Sequence, residues 1–146
     1  MRFMMIVKAN QNSEAGKPPS EELFAAMTQF NEELIKAGAL IELAGLHPSS
    51  KGARVQVSNG KRMVIDGPFA ETKELIAGFW LIRANSMAEA IEWAKRVPAP
   101  HGESAEGQIE IRQVFELEDF APSPSVERAK VLRAKRLEGS LAESNA

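Results

Sequence analysis

The sequence predicts an α+β domain in which two strand–helix–strand units share one sheet. Two segments have helical periodicity after an N-cap serine, residues 20–38 and 86–98. The segments around them alternate or are continuously apolar, which is typical of strands, and an Asn-Gly pair marks a hairpin between two of them. The order strand, helix, strand, hairpin, strand, helix, strand therefore predicts a ferredoxin-like two-layer sandwich with an inserted β-hairpin.

Composition bounds the class of protein. The chain has 146 residues, 44% hydrophobic and 26% charged, which suits one globular domain with a buried core. A net charge of -2 argues against a nucleic-acid partner, and the absence of cysteine excludes disulfides and thiolate chemistry. The apolar start, Met1–Val7, is too short to cross a membrane, so we expect a cytoplasmic protein with no membrane partner.

The first strand and the first helix are predicted from side-chain spacing. Along Arg2–Lys8, side chains alternate between two apolar faces, as in a central strand. In the helix that Ser20 caps and Gly38 ends, an apolar stripe recurs at helical spacing: Leu23, Met27, Phe30 and Leu34. We interpret this stripe as core packing, because that use of such a stripe is far commoner than a cofactor-binding face.

The second half of the chain repeats the pattern. Asn59-Gly60 predicts a type I′ turn between two strands, and Leu75–Ala84 predicts a central strand. Ser86 to Glu89 fits a capping box for a helix whose apolar side is expected to hold Met87, Ala90, Ile91, Ala94 and Val97. The last strand is expected at Gln108–Glu116.

The chain end is predicted to lie outside this domain. Pro122 and Pro124 mark a break, so we place the domain at residues 1–120 and a C-terminal helix and tail at residues 121–146. The helix is expected over Val126–Leu137, with a weak apolar stripe and a basic surface.

One stretch is chemically dense enough to suggest a site. Residues 66–74 read D-G-P-F-A-E-T-K-E and directly precede the central strand. One of the carboxylates Asp66, Glu71 and Glu74 could serve as a base, or two of them could grip a cation, and Lys73 could neutralise them. The alternative is that Asp66 accepts backbone N–H groups in its own turn while Glu71 and Lys73 hold the loop in place.

Other candidates lie near this stretch. His47 follows a glycine-broken strand and is a candidate pocket residue, with an exposed loop histidine as the alternative. Arg54, on a hairpin strand, could pair with the loop carboxylates or hold an anionic ligand. His101 is interpreted as a surface loop residue. The two histidines have no metal-ligand spacing, and no phosphate-binding motif occurs, so we expect neither metal nor cofactor.

The nonapeptide resembles the motif of the DGPF family, a branch of the YCII-related proteins. The resemblance covers about the first 117 residues and includes Gly45-Leu46-x-Pro48, Gly78-Phe79-Trp80 and Ile109-Glu110-Ile111-Arg112. It implies a dimeric fold of the α/β-barrel type with a ligand pocket near the motif, and no settled function. Some YCII-related proteins are regarded as candidate enzymes because of a His and Asp pair whose histidine lies on the first helix; here the matching residues, around Met27 and Thr28, include no histidine.

Three functions are open at this point. The leading hypothesis is a homodimer, packed sheet to sheet, that binds a small ligand in a cleft formed by Asp66, Glu71, Lys73, His47 and Arg54. The second is an enzyme of lyase, dehalogenase-like or monooxygenase-like type, against which the missing helix histidine counts. The third is a non-catalytic regulatory or interaction partner that uses the basic segment 128–136.

Overall fold

The computed structural model describes residues 1–146. It divides into two compact units, Met1–Val114 and Phe115–Ala146. The helices and strands, in chain order, are β1 (Arg2–Lys8), α1 (Gln11–Glu14), α2 (Glu21–Lys36), β2 (Leu40–Gly45), β3 (Ala53–Ser58), β4 (Lys61–Asp66), β5 (Ile76–Arg83), α3 (Met87–Lys95), β6 (Ile109–Gln113) and α4 (Pro124–Ser144). Single 3₁₀ turns occupy Ser49–Lys51, Thr72–Glu74 and Leu117–Asp119.

The main sheet has four strands in the order β2-β5-β1-β6, and every neighbouring pair is antiparallel. Together with helices α2 and α3 this is the ferredoxin-like α+β sandwich that the sequence predicts. Strands β3 and β4 form a separate two-stranded sheet. The inserted hairpin is therefore confirmed as an element of its own.

The core lies between the helices and one face of the main sheet. Phe3, Met5 and Val7 of β1 face this side, and Met5 pairs in register with Trp80 of β5. Phe30 of α2 packs edge-on against Trp80, with ring centroids 5.4 Å apart. Burying each such large apolar side chain stabilises the fold by about 1.5–3 kcal/mol.

The opposite face of the sheet is also apolar at its centre. Alternation along β1 and β5 places Met4, Ile6, Phe79 and Leu81 there, and none of these side chains belongs to the core cluster under the helices. The prediction that β1 and β5 carry apolar residues on both faces is thus confirmed.

Helix α3 differs in detail from its prediction. Ser86 accepts a hydrogen bond from the Glu89 N–H, but the Glu89 carboxylate accepts from the Asn85 N–H, so the expected capping box is incomplete. Met87 and Ile91 are 40% and 39% exposed. Trp93 packs on the core instead, in edge contact with Phe30 at 6.3 Å between ring centroids.

The hairpin turn has the geometry that Asn-Gly favours. Asn59 and Gly60 have φ angles of 51° and 74°, as a type I′ turn requires. Every residue of β3 and β4 is exposed. Val55, Val57 and Val64 are 60–69% exposed, so the hairpin adds no side chain of its strands to the core.

The second unit consists of a 3₁₀ turn and α4. Ser123 caps α4 by accepting from the Val126 N–H, and the helix runs past the predicted end at Leu137 to Ser144. Arg133 donates to Glu118 at 3.1 Å, and this hydrogen bond holds the pKa of the Glu118 carboxyl below its ordinary value. None of the helices is both long enough and apolar enough to cross a membrane.

A glycine is required where β2 and β5 meet. Gly78 pairs with Gly45, and a Cβ at Gly78 would lie 2.8 Å from the Ala44 carbonyl oxygen. A Cβ at Gly45 would meet no atom within 4 Å. An added Cβ therefore clashes with the backbone at Gly78 but is accommodated at Gly45.

We expect Gly78→Ala to lower the free energy of unfolding by about 1–3 kcal/mol, because the strand must move to relieve the contact. Gly45→Ala is the matched control and should leave stability unchanged or raise it by up to about 1 kcal/mol. Urea denaturation followed by circular dichroism measures both. Equal stability of the two variants would contradict the steric account.

Candidate functional site

A cavity of about 590 Å³ lies between α2 and one end of the main sheet. At this end β1 and β2 finish and β5 begins, since Val7 and Gly45 both pair with Gly78. Small-molecule sites in proteins have volumes of about 300–1,000 Å³. The cavity is therefore large enough for a small organic ligand.

Two glycines create this space. Gly45 and Gly78 line the cavity and lie two residues from Leu43 and Trp80, which pack on the core. Because strand side chains alternate, the missing side chains of both glycines are on the helix side of the sheet. The end of the sheet thus has nothing to fill the gap beneath the first turns of α2.

Most of the cavity wall is apolar. Leu23, Phe24 and Met27 of α2 and the strand residues Leu43 and Trp80 line it. The Trp80 indole N–H donates to Asn31 Oδ1 at 2.7 Å, and Phe30 packs against the ring. The side chain of Trp80 is held on two sides, so this part of the wall is formed before any ligand arrives.

His101 is part of the same wall, which the sequence did not indicate. It lies in the loop before β6, and its Nε2 is 2.8 Å from the Lys8 carbonyl oxygen. A carbonyl can only accept, so Nε2 carries the hydrogen and Nδ1 is left without a protein partner. His101 is a half-buried residue of its loop that lines the cavity, a position that its interpretation as a surface loop residue did not include.

The motif of residues 66–74 is braced against the turn at Ser49. The Phe69 N–H donates to Ser49 Oγ at 3.1 Å, and the Gly67 N–H donates to the Gly52 carbonyl at 3.0 Å. A Cβ at Gly67 would lie 1.7 Å from the Ser49 carbonyl oxygen, so only glycine fits this approach. The motif is consequently a close-packed backbone junction.

The junction continues to the rim of the cavity. Ser49 donates both its N–H and its hydroxyl to the Glu14 carboxylate on α1. The neighbouring residues Asn12 and Ser13 of α1 line the cavity. Asn10 and Ser13 form a reciprocal capping box that starts this short helix. The motif therefore supports the segment that forms the rim.

The structure brings only one predicted site residue against the motif's aromatic ring. The Arg54 guanidinium lies over the Phe69 ring, 3.8 Å from its centroid, in a cation–π contact. The side chains of Asp66, Glu71 and Lys73 are exposed and form no hydrogen bond or ion pair, and His47 is also exposed. None of these five residues lines the cavity. Their role in ligand binding stays a prediction.

No three histidine or carboxylate side chains lie close enough together to hold a metal ion. The polar groups of the cavity are few and separate: Asn12, Ser13, Lys17, Ser20, Asn31 and His101. Such an arrangement can orient a small molecule by hydrogen bonds while apolar side chains surround its body.

Fold and site together define a ferredoxin-like α+β protein with a preformed, mainly apolar cavity at one end of its sheet. A family model for the YCII-related domain matches residues 1–118, and the chain belongs to that family. An uncharacterized protein of Rhizobium meliloti (strain 1021) is 33% identical over 96 residues, which are 66% of this chain and 76% of that protein.

Ser49 offers a direct test of the brace. Ser49→Ala removes the hydroxyl that joins Phe69 to Glu14, and we expect the free energy of unfolding to fall by about 1–2 kcal/mol. Ser50→Ala is the control, because the adjacent Ser50 is exposed and its side chain makes no hydrogen bond. Urea denaturation gives stability, and amide exchange at Phe69 gives local opening. An unchanged Phe69 exchange rate would contradict the brace.

Proposed function

We propose that this YCII-related protein is a homodimer that binds a small, largely apolar organic ligand in the cavity beneath α2. The observation that carries the proposal is the cavity of about 590 Å³ whose wall is fixed by Trp80, Phe30 and Asn31. A preformed apolar site costs little reorganisation when a ligand enters, so burial of the ligand contributes directly to affinity.

We assign two separate roles in this function to the motif of residues 66–74. Its hydrogen bonds to Ser49 support the α1 rim, which gives it a positioning role. The proposal that Asp66, Glu71, Lys73, His47 and Arg54 contact the ligand is separate. It is supported by the position of the motif just before β5, whose residues Ala77 and Gly78 line the cavity.

The cavity can be tested by filling it. Gly45→Leu places a side chain on the helix side of the sheet, where a Cβ meets no atom within 4 Å. We expect the neutral fluorescent probe prodan to bind the native protein with a blue shift and to bind Gly45→Leu at least about tenfold more weakly, since the added side chain occupies the site. Fluorescence titration measures both.

Gly45→Ala serves as the control and should retain most of the binding. The double variant Asp66→Asn/Glu71→Gln separates the motif from the cavity: weaker binding supports contact between the motif carboxylates and the ligand, and unchanged binding removes that part of the proposal. Equal prodan affinity of the native protein and Gly45→Leu would show that the cavity is not the binding site.

Two apolar surfaces support the homodimer. The face of the sheet opposite α2 and α3 presents Met4, Phe79 and Leu81 at its centre. The hairpin presents Val55 and Val64 as a register pair, with exposures of 62% and 69%. An isolated two-stranded hairpin is only marginally stable in water, so burial against a partner would stabilise it.

We expect Leu81→Glu to convert the dimer to a monomer, because it places a carboxylate at the centre of the proposed interface. Ile35→Glu is the control, since Ile35 is 62% exposed on α2. Sedimentation velocity at micromolar concentration distinguishes the two states. A monomeric native protein, or a Leu81→Glu variant that remains dimeric, would contradict packing through this face.

A further inference from the structure

We infer that the cavity selects organic anions: molecules with an apolar body and one negatively charged end, such as a carboxylate, placed beside Lys17. This inference rests on the proposed function, because it names the chemical class of the ligand that the cavity binds. It comes from the charges and the free hydrogen-bonding groups of the cavity wall.

The charge balance of the wall favours a negative ligand. Lys17 lines the cavity, and no aspartate or glutamate does. Lys17 forms no ion pair or side-chain hydrogen bond within the chain, so its ammonium group is available to a ligand. A carboxylate next to this group gains a charge-assisted contact, whereas an ammonium ligand would meet a like charge.

The carboxylates nearest in sequence are directed elsewhere. Glu14 is occupied by the N–H and hydroxyl of Ser49. Glu21 lines a separate surface hollow along α2 with Thr28 and Lys36. Glu22 is exposed and does not line the cavity. None of the three forms an ion pair with Lys17 or lines the cavity.

Ser20 and Asn31 offer hydrogen-bond donors to a ligand, whereas His101 Nδ1 offers an acceptor. Ser20 Oγ accepts from the Leu23 N–H, which leaves its hydroxyl hydrogen for a ligand. Asn31 Oδ1 accepts from the Trp80 indole, so the amide NH₂ is the free part of that side chain. A ligand that satisfies Ser20 and Asn31 must supply acceptors, which a carboxylate does at one end and a carbonyl or ether oxygen does elsewhere.

The positions of these groups give the ligand a direction. Lys17 and Ser20 precede the first turn of α2, and Asn31 lies about 16 Å further along the helix axis at 1.5 Å per residue. Met27, Leu43 and Trp80 line the space between the two ends. The anionic group thus belongs at the Lys17 end, and the apolar body extends toward Trp80 and Asn31.

Three probes of nearly equal shape test the charge preference: 2-naphthoate, naphthalene-2-carboxamide and 2-naphthylmethylammonium. In isothermal titration calorimetry at low salt we expect 2-naphthoate to bind about five- to tenfold more tightly than the carboxamide, and the ammonium probe to bind most weakly. The preference should shrink at high salt, because Lys17 is exposed to solvent.

Lys17→Gln should remove the preference for 2-naphthoate over the carboxamide, chiefly by weakening the binding of 2-naphthoate. Lys51→Gln is the matched control, since Lys51 is exposed and does not line the cavity. Equal binding of carboxamide and naphthoate, or a preference that survives Lys17→Gln, would overturn the inference and leave the proposed function standing. Failure of prodan and all three probes to bind would overturn both.

Discussion

The cavity depends on one steric constraint, the close pairing of Gly45 and Gly78 where β2 meets β5. Gly78 approaches the Ala44 carbonyl too closely for any Cβ, so the strand can carry no side chain there. Its partner Gly45 adds none, and both gaps lie beneath the first turns of α2. Trp80, two residues further on, holds the helix and sheet apart through Phe30 and Asn31. The cavity is therefore formed by the close backbone packing of Gly45 and Gly78 at one end and by the Trp80 side chain at the other.

The backbone packing of residues 66–74 gives this motif a structural role that its charged residues alone did not indicate. Gly67 is forced by its approach to Ser49, and Phe69 is fixed from two sides, by the Ser49 hydroxyl at its N–H and by Arg54 at its ring. The Ser49 hydroxyl in turn donates a hydrogen bond to the Glu14 carboxylate. These contacts fix the position of the start of β5 relative to the α1 segment at the cavity rim. The exposed carboxylates of Asp66 and Glu71 take no part in it.

The fold could be predicted from patterns of a few neighbouring residues. The cavity wall could not, because it depends on contacts between residues that are far apart in the chain. The capped helices, the Asn-Gly turn and the alternation of β1 are each encoded within a few residues, and the structure has them. His101 becomes a wall residue only through a contact with Lys8, 93 positions away in the chain. Lys17 lies in a segment that reads as polar loop, so its place beside an apolar cavity could not be inferred from spacing. Trp93 replaced Ile91 in the core because Phe30 offers it an edge contact.

The two halves of the proposed function use opposite faces of the same sheet. The cavity lies on the side of α2, whereas the proposed dimer would bury Met4, Phe79 and Leu81 on the other side. A ligand that enters beside Lys17 would therefore meet no obstruction from the second subunit packed there. Contacts across the dimer could still reach the site through β5, since Phe79 and Trp80 are neighbours in the chain and both line the cavity. Because adjacent strand residues project to opposite faces, any shift of β5 at the proposed interface would move Phe79 and Trp80 together.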